Sequence, residues 1–436
     1  MTKEINLSEF FPIHAEIDGD RITIQLHKII VGEVSSDTLI NSLRRYLAPD
    51  QTPVDVSVRS GQLFLKLGDT SENVDARMIA EVVGKMISNL LPLTLRNQVT
   101  GNKLVYVTRS TGIPLMGRID FGIIDRGTNL IQIRPITGCV LDCPFCSVDS
   151  GASSKTRITD FIIDPDYLID ETRRLCEFKG SRGIELHIDG QGEPTLYPYL
   201  PTLVKGLSTI SGVDTTSMQS NGIPLTEKLI DQLGIAGLSR INLSLNTLEQ
   251  EKAIELSGSM GYSLGHILEV VQQIRDSHIS LLIAPLWIPG LNDDDIPAIL
   301  RFVKKLHLVS KWPVLGIQNY LVHRQGKKVR GIRAHSMRHF RLELERLGRS
   351  YDMYPLRLRS SDFNIVPMTS YPNPFRKGEI AEIDILERGR MAGEMLGVGR
   401  ERALHILTGS RQIIGRKRVR IIRTKHNVFV GDLVDH

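Results

Sequence analysis

Residues 137–146 read Thr137-Gly138-Cys139-Val140-Leu141-Asp142-Cys143-Pro144-Phe145-Cys146, and the fold turns on how this stretch is read. It holds three of the four cysteines of the 436-residue chain, spaced C-x3-C-x2-C. So short a loop can turn three thiolates towards one point. Thiolates are soft ligands that suit zinc or an iron–sulfur cluster. A closed structural zinc site takes a fourth protein ligand, and the one other cysteine, Cys176, lies thirty residues downstream. Three cysteines on a four-iron cluster leave one iron open to a small ligand.

Outward from the loop the pattern repeats. Asn129 to Arg134 reads as a strand that delivers the chain to the cysteines. Helical spacing covers 164–179, followed by a strand over 183–188, helix signals over 197–210, a strand over 215–219 and a helix over 226–233. Strands at 239–245, 279–286 and 314–319 alternate with helices at 265–276 and 295–306. Apolar strands joined by crossover helices require a parallel sheet covered by helices. Six strands predict an α/β fold, a partial (β/α)6 barrel rather than the closed eight-stranded form. Polar turns follow the strands: Asp189-Gly190-Gln191-Gly192-Glu193-Pro194, Ser220-Asn221-Gly222, Ser244-Leu245-Asn246-Thr247, and Pro285 to Asp293. Each alone also reads as structural. Ser220-Asn221 suits a loop or helix cap, and Asn292 and Asp293 suit caps for the helix near 295.

Together, the cysteine spacing and these ordered turns resemble the radical S-adenosylmethionine (SAM) superfamily over about residues 129–320, with the look of an archaeal type of iron–sulfur oxidoreductase. The resemblance implies that Cys139, Cys143 and Cys146 hold a [4Fe–4S] cluster whose open iron is chelated by SAM. Phe145 matches the aromatic residue before the third cysteine in that family. Gly190, Gly192 and Glu193 match its Gly-Gly-Glu type of motif with one residue inserted. That form is similar to the Gly-x-Gly-Glu-Pro version of an RNA-methylating branch. By the same resemblance, Glu193 is expected to accept from the SAM ammonium and Gly192 to offer its carbonyl. Ser220 and Asn221 are expected near the SAM carboxylate or the substrate, Ser244 and Asn246 at the ribose, and Ile288 and Gly290 against the adenine. The RNA-methylating branch uses additional cysteines. Here only Cys176 is spare, and its helical setting reads as core.

Residues 1–125 read as an N-terminal α+β accessory domain without catalytic spacing, with strands near 22–26, 54–58, 63–67 and 103–109 and helices over 35–47 and 74–91. Residues 126–320 make the barrel domain. Residues 321–376 form a mixed basic connecting segment with an amphipathic helix over 336–347. Residues 377–436 read as a small β-barrel of roughly five short strands. This end loosely resembles the TRAM or OB-like barrels of some tRNA-modifying radical SAM enzymes. Its cations Arg416, Lys417, Arg418, Arg420, Arg423 and Lys425 are expected to track RNA phosphates. A solvated charged face reads from the same run. Phe429 reads as a core residue or as a base-stacking one.

A formal net charge of +5 is too small to mark a nucleic-acid binder by itself. No run approaches about 18 uninterrupted apolar residues, so no membrane span is expected. The N-terminal pattern is not that of a secretory signal, and four cysteines do not make a disulfide framework. A reducing cytoplasm is the expected location. The expected function is reductive cleavage of SAM to modify a macromolecule, with tRNA or another structured RNA ahead of a protein or small metabolite. A low-potential electron donor such as a ferredoxin is implied. A non-catalytic iron–sulfur RNA-binding or sensor protein fits the same motifs.

Overall fold

The computed structural model describes residues 2–9, 14–27, 30–44, 47, 53–69, 75–83, 94–353 and 355–434. The chain forms two compact units, Met1–Tyr106 and Val107–His436. The division falls earlier than the expected boundary at 125, because Gly122–Asp125 is a strand of the second unit's sheet.

In the first unit, Thr2–Asn6, Gln62–Asp69 and Pro53–Arg59 pair as a three-stranded antiparallel sheet. Arg96–Asn97, Ile30–Ser35, Arg21–His27 and His14–Asp18 lie side by side in another. The helix Ser36–Leu43 starts where the Ser35 side chain accepts the Thr38 N–H, and it buries Leu39, Ile40 and Leu43. Of the helix expected over 74–91, residues 76–83 are helical, while 74 and 84–91 lie outside the described residues.

The second unit is built on a six-stranded sheet. Its strands are β1 (Gly122–Asp125), β2 (Leu130–Arg134), β3 (Ile184–Ile188), β4 (Val213–Ser220), β5 (Arg240–Leu243) and β6 (Ser280–Ile283), in that spatial order. β2 to β6 are parallel, and β1 pairs antiparallel with β2 at the edge. Beyond β6 the ladder continues only in short steps. The Ile283 N–H donates to Val314, Gly316 to Ile283, Gln318 to Pro285 and Tyr320 to Trp287, at 2.8–3.0 Å. Residues 314–320 thus occupy the next parallel position without forming a long strand. Crossover helices cover the outer face: Pro165–Phe178, Leu200–Ser208, Glu227–Ala236, Leu264–Asp276 and Asp295–Leu306. Their starts follow from sequence. Asp164, Thr226 and Ser263 side chains each accept a first-turn N–H, and Pro165 stands where no intrahelical donor is needed. Cys176 is fully buried in the first of these helices, and burial pushes its thiol up to about 12.

Five strands close a separate barrel at the end of this unit: β7 (Ile380–Arg388), β8 (Glu394–Gly399), β9 (Arg402–Leu407), β10 (Gly415–Arg423) and β11 (Val430–Leu433). The order around it is β7-β8-β9-β11-β10. Ile383, Ile385, Leu404, Ile406, Val419 and Phe429 fill its core. Phe429 is wholly buried and packs edge-on to Phe375 at 5.2 Å, which decides for the core over base stacking. No helix among the described residues is long and apolar enough to cross a membrane.

Candidate active site

The cysteine loop leaves β2 and is clamped at several points. The Asp142 N–H donates to Ser257 at 2.9 Å, and the Lys327 N–H donates to Cys146 at 2.8 Å. The Lys327 ammonium pairs with the Asp142 carboxylate. The segment after residue 320 thus reaches the cysteine loop. It lies on the loop and supplies Leu321 and His323 to the cavity below.

N–H groups are aimed at two of the sulfurs. Leu141 N and Asn221 Nδ2 lie 3.4 and 3.5 Å from Cys139 Sγ, and Ser150 N lies 3.4 Å from Cys146 Sγ. Such donors suit thiolates held by a metal centre. Burial pushes the Cys139 thiol up, with Glu193 adding to it, and raises Cys143 to about 12. Loading a metal must displace those protons. Among the described residues, the His, Cys, Asp and Glu trio whose ligand atoms all lie within 4.8 Å of one another is Asp120, Glu394 and His405, not the cysteines. Tetrahedral zinc with bonds of about 2.3 Å would draw three sulfurs to roughly 3.8 Å of each other. The wider spread, the missing fourth thiolate and the N–H donors fit a cluster better than a mononuclear ion.

The loop after β3 is laced to the cysteine loop. Gly138 N–H donates to Gln191 O at 3.3 Å and Glu193 N–H donates to Gly138 O at 2.8 Å. A Cβ on Gly192 would sit 2.0 Å from Gly138 O, so the backbones approach more closely than any side chain permits. Glu193 is 2% exposed. Its Oε1 accepts from Thr195 N, Thr195 Oγ1 and Ser220 Oγ, and its Oε2 accepts from Asn221 N at 2.7 Å. Oε1 is saturated, and Oε2 retains one acceptor position. Burial raises the Glu193 pKa, and these bonds oppose it.

Under these loops lies a cavity of about 550 Å³. The three cysteines, Phe145, Gly190, Gly192 and Glu193 line it. So do Ser220, Asn221, Ser244 and Asn246 from the ends of β4 and β5. Ile288 and Gly290, expected against the adenine, are not among the residues that line this cavity. Ile288 is wholly buried against Leu256 and Tyr320. Gly290 is an exposed turn glycine at φ +78°, outside the cavity. Asn292 and Asp293 are not helix caps either. Asn292 bonds the backbone of Asn246, Leu286 and Ile288, and Asp293 accepts from Trp287 Nε1 and Gly290 N. They pin the loop whose Leu286 does reach the cavity.

A similarity to known proteins follows this geometry. Residues 133–303 match the model of the radical SAM superfamily. An uncharacterized protein of Methanocaldococcus jannaschii is 37% identical over 369 residues, covering 80% of this chain and 85% of that one. The chain belongs to the radical SAM superfamily. A GTP 3′,8-cyclase of Chlorobaculum tepidum is 25% identical over 60% of this chain and 73% of its own. Among solved structures, the radical SAM methyltransferase TsrM of Kitasatospora setae is similar at 16% identity and a TM-score of 0.35, over 44% of this chain. The chain spans only 36% of that protein's length.

In this radical SAM protein, groups that sequence reasoning missed hold the site together. Arg390, between β7 and β8, is 1% exposed. Its Nη1 donates to Asp160 at 2.7 Å, and its Nη2 donates to Ser150 Oγ at 2.9 Å and Gln191 O at 2.7 Å. One guanidinium from the C-terminal barrel therefore braces both cofactor loops from behind. Nothing in the sequence marks it, because its partners lie 199–240 residues away. The Asp120, Glu394 and His405 trio is the neighbouring joint. Arg118 bonds both carboxylates there, supplying the positive charge a metal would bring. The cations Arg416, Lys417, Arg418, Arg420, Arg423 and Lys425 are all exposed, and Arg416 pairs with Asp384.

Proposed function

We propose that this chain is a radical SAM enzyme that cleaves SAM reductively and modifies a structured RNA, tRNA foremost. The observation that carries the chemistry is the single cavity that joins three cysteines to the polar ends of β3, β4 and β5. Cys139, Cys143 and Cys146 would hold a [4Fe–4S] cluster. When bound, it supplies the electron that breaks the sulfonium bond of SAM.

The chain's own residues do the positioning. Glu193 Oε2 keeps one acceptor for an ammonium, while Ser244 and Asn246 offer hydroxyl and amide groups to a ribose. The clamp of Lys327 and Asp142 and the brace of Arg390 hold the loops in register, which limits unproductive cleavage. Tyr320, Leu321 and His323 line the cavity and would shield bound SAM from water. A low-potential donor such as a ferredoxin delivers the electron. A reducing cytoplasm suits both cluster and free thiols.

The RNA reading is supported by β10, whose exposed arginines stand on a closed five-stranded barrel. Among the described residues Lys417, Arg418, Arg420, Arg423 and Lys425 have no carboxylate within salt-bridge distance. A second reading is a free nucleotide, favoured by the likeness to a GTP 3′,8-cyclase.

Anaerobically reconstituted protein with SAM and dithionite is expected to yield 5′-deoxyadenosine; an intact cluster without it refutes the enzyme. Arg418→Glu, Arg420→Glu and Arg423→Glu together should weaken tRNA binding and flatten its log–log salt slope by about 2–3. Unchanged binding refutes the RNA surface. Guanine nucleotide, not tRNA, competing for the cavity would establish the second reading.

A further inference from the structure

Below the cofactor loops the cavity is lined by strand side chains that none of the cofactor motifs uses: Arg134 on β2, His187 on β3, Asp189 just after β3, and Gln219 on β4. Arg134 and Asp189 are paired at 2.9 Å and neutralise one another. His187 is different. Its Nδ1 lies 2.8 Å from Ser217 Oγ. Ser217 donates its own proton to Glu185 Oε1 at 2.7 Å, and Arg240 donates to the same oxygen at 2.6 Å. Ser217 Oγ therefore accepts from His187, which fixes the Nδ1–H tautomer and leaves Nε2 as a bare lone pair. Burial lowers the ring's pKa, with Arg240 and Arg134 adding to it and Asp189 and Glu185 opposing, so the ring is neutral near pH 7.

We infer that His187 is a substrate contact whose Nε2 accepts a hydrogen bond, and during the reaction a proton, from an O–H or N–H beside the substrate's reacting carbon. The inference rests on the proposed SAM cleavage. Once a hydrogen atom has left that carbon, the neighbouring O–H or N–H is a stronger acid. The transfer breaks the X–H bond, forms N–H at Nε2 and leaves the electron pair on X. The resulting imidazolium is stabilised through Ser217 by the Glu185 carboxylate. The subsite has no net charge to offer, since Arg134 is spent on Asp189 and Gln219 donates to Ser244 at 3.2 Å. It takes an uncharged polar group such as a nucleobase edge or a sugar hydroxyl, and a phosphate must lie elsewhere.

The test uses reconstituted holoenzyme with SAM, dithionite, and RNA, protein and small-molecule fractions from cells lacking the gene. Mass-shifted product is measured per 5′-deoxyadenosine formed. His187→Gln keeps an acceptor but not a base, and is expected to lower that ratio about 100-fold or more. The wild-type ratio should fall on the acid side with an apparent pKa below 6.5, and that limb should vanish in the variant. A variant with the wild-type ratio, or with the same acid limb, overturns the inference alone. Absence of 5′-deoxyadenosine from the wild type overturns the proposed function and this inference with it. Ring 15N spectra of the oxidised holoenzyme give an independent reading of the tautomer. Nδ1–H with unprotonated Nε2 is expected, and an Nε2–H or doubly protonated ring at neutral pH overturns the role.

Discussion

Replacing Arg390 by Met separates a brace from a bystander. The guanidinium is 1% exposed and its partner Asp160 likewise. Methionine fills much of the space but leaves the Asp160 carboxylate without its counter-charge, and Ser150 Oγ and Gln191 O without a shared donor. Breaking a buried ion pair from one side costs about 3–5 kcal/mol. That cost falls on the two loops it holds, so it should appear as local opening before global unfolding. At about 1.4 kcal/mol per tenfold, amides in 138–150 and 190–194 should exchange roughly 100- to 1,000-fold faster, allowing for partial relaxation. Hydrogen-exchange mass spectrometry on the reconstituted protein reads this directly, and equilibrium dialysis reads the accompanying loss of SAM affinity. The double variant Arg390→Met with Asp160→Asn should recover part of the loss, because the stranded charge is gone. Unchanged exchange in both loops, or strictly additive costs, would falsify the bracing role.

Other perturbations separate neighbouring roles. Cys143→Ser should abolish [4Fe–4S] assembly and 5′-deoxyadenosine, measured by absorbance and chromatography. Gly192→Ala should lose SAM binding and destabilise the loop by about 1–3 kcal/mol, because its Cβ meets backbone at 2.0 Å. Gly190→Ala should be milder, its nearest neighbour lying at 3.3 Å. At Asp120, burial pushes the pKa up, but Arg118 and then His405 outweigh it and hold the net value well below the ordinary 3.8. The folded state thus binds fewer protons than the unfolded one. The resulting stability is complete above the unfolded pKa and is lost as pH falls through the folded one. Melting curves between about pH 2 and pH 6 should therefore slope less in Asp120→Asn, which should also melt earlier at neutral pH.

The parallel core was legible because its strands are apolar runs and its helices carry their own start signals. Asp164-Pro165 and Thr226 mark helix starts in the chain as they do in space. The cysteine loop and the ends of β3 to β5, which line one cavity, were legible because each is a short contiguous motif. What escaped was long-range or had a short signal. Gly122–Asp125 is four residues long and gains its identity only by pairing with β2. Strand β8 begins only at Glu394, since Met391 instead bridges to Arg157 and the turn carries Arg390 inward. Ile288 has the composition of a stacking surface, but its side chain points into the core with Leu256 and Tyr320. Composition names a residue's surroundings only when the backbone direction is also known.

The C-terminal barrel has two faces with different demands, and this changes how its function can be tested. Its outer strand β10 offers cations to solvent, as a module that docks a polyanion would. Its inner turn buries Arg390 against the Asp160 and Ser150 side chains and the Gln191 carbonyl, and its Glu394 meets Arg118. Removing residues 377–436 to ask about RNA would therefore also take Arg390 from Asp160 and Glu394 from Arg118 and loosen the cofactor loops. Loss of activity on such a truncation would say nothing about nucleic acid. Exposed charge reversals on β10 leave the buried joint intact, because Arg418, Arg420 and Arg423 are exposed while Val419 and Ile421 face the barrel core. If tRNA binding falls in those variants while SAM cleavage persists, the two faces are separable. If SAM cleavage falls with it, an electrostatic path must join β10 to the loops. The residues between them are Arg126, whose pKa is lowered chiefly by burial, then by Arg134 and least by Arg423, and Gln132, which accepts from Arg126 and donates to the cavity residue Asp189.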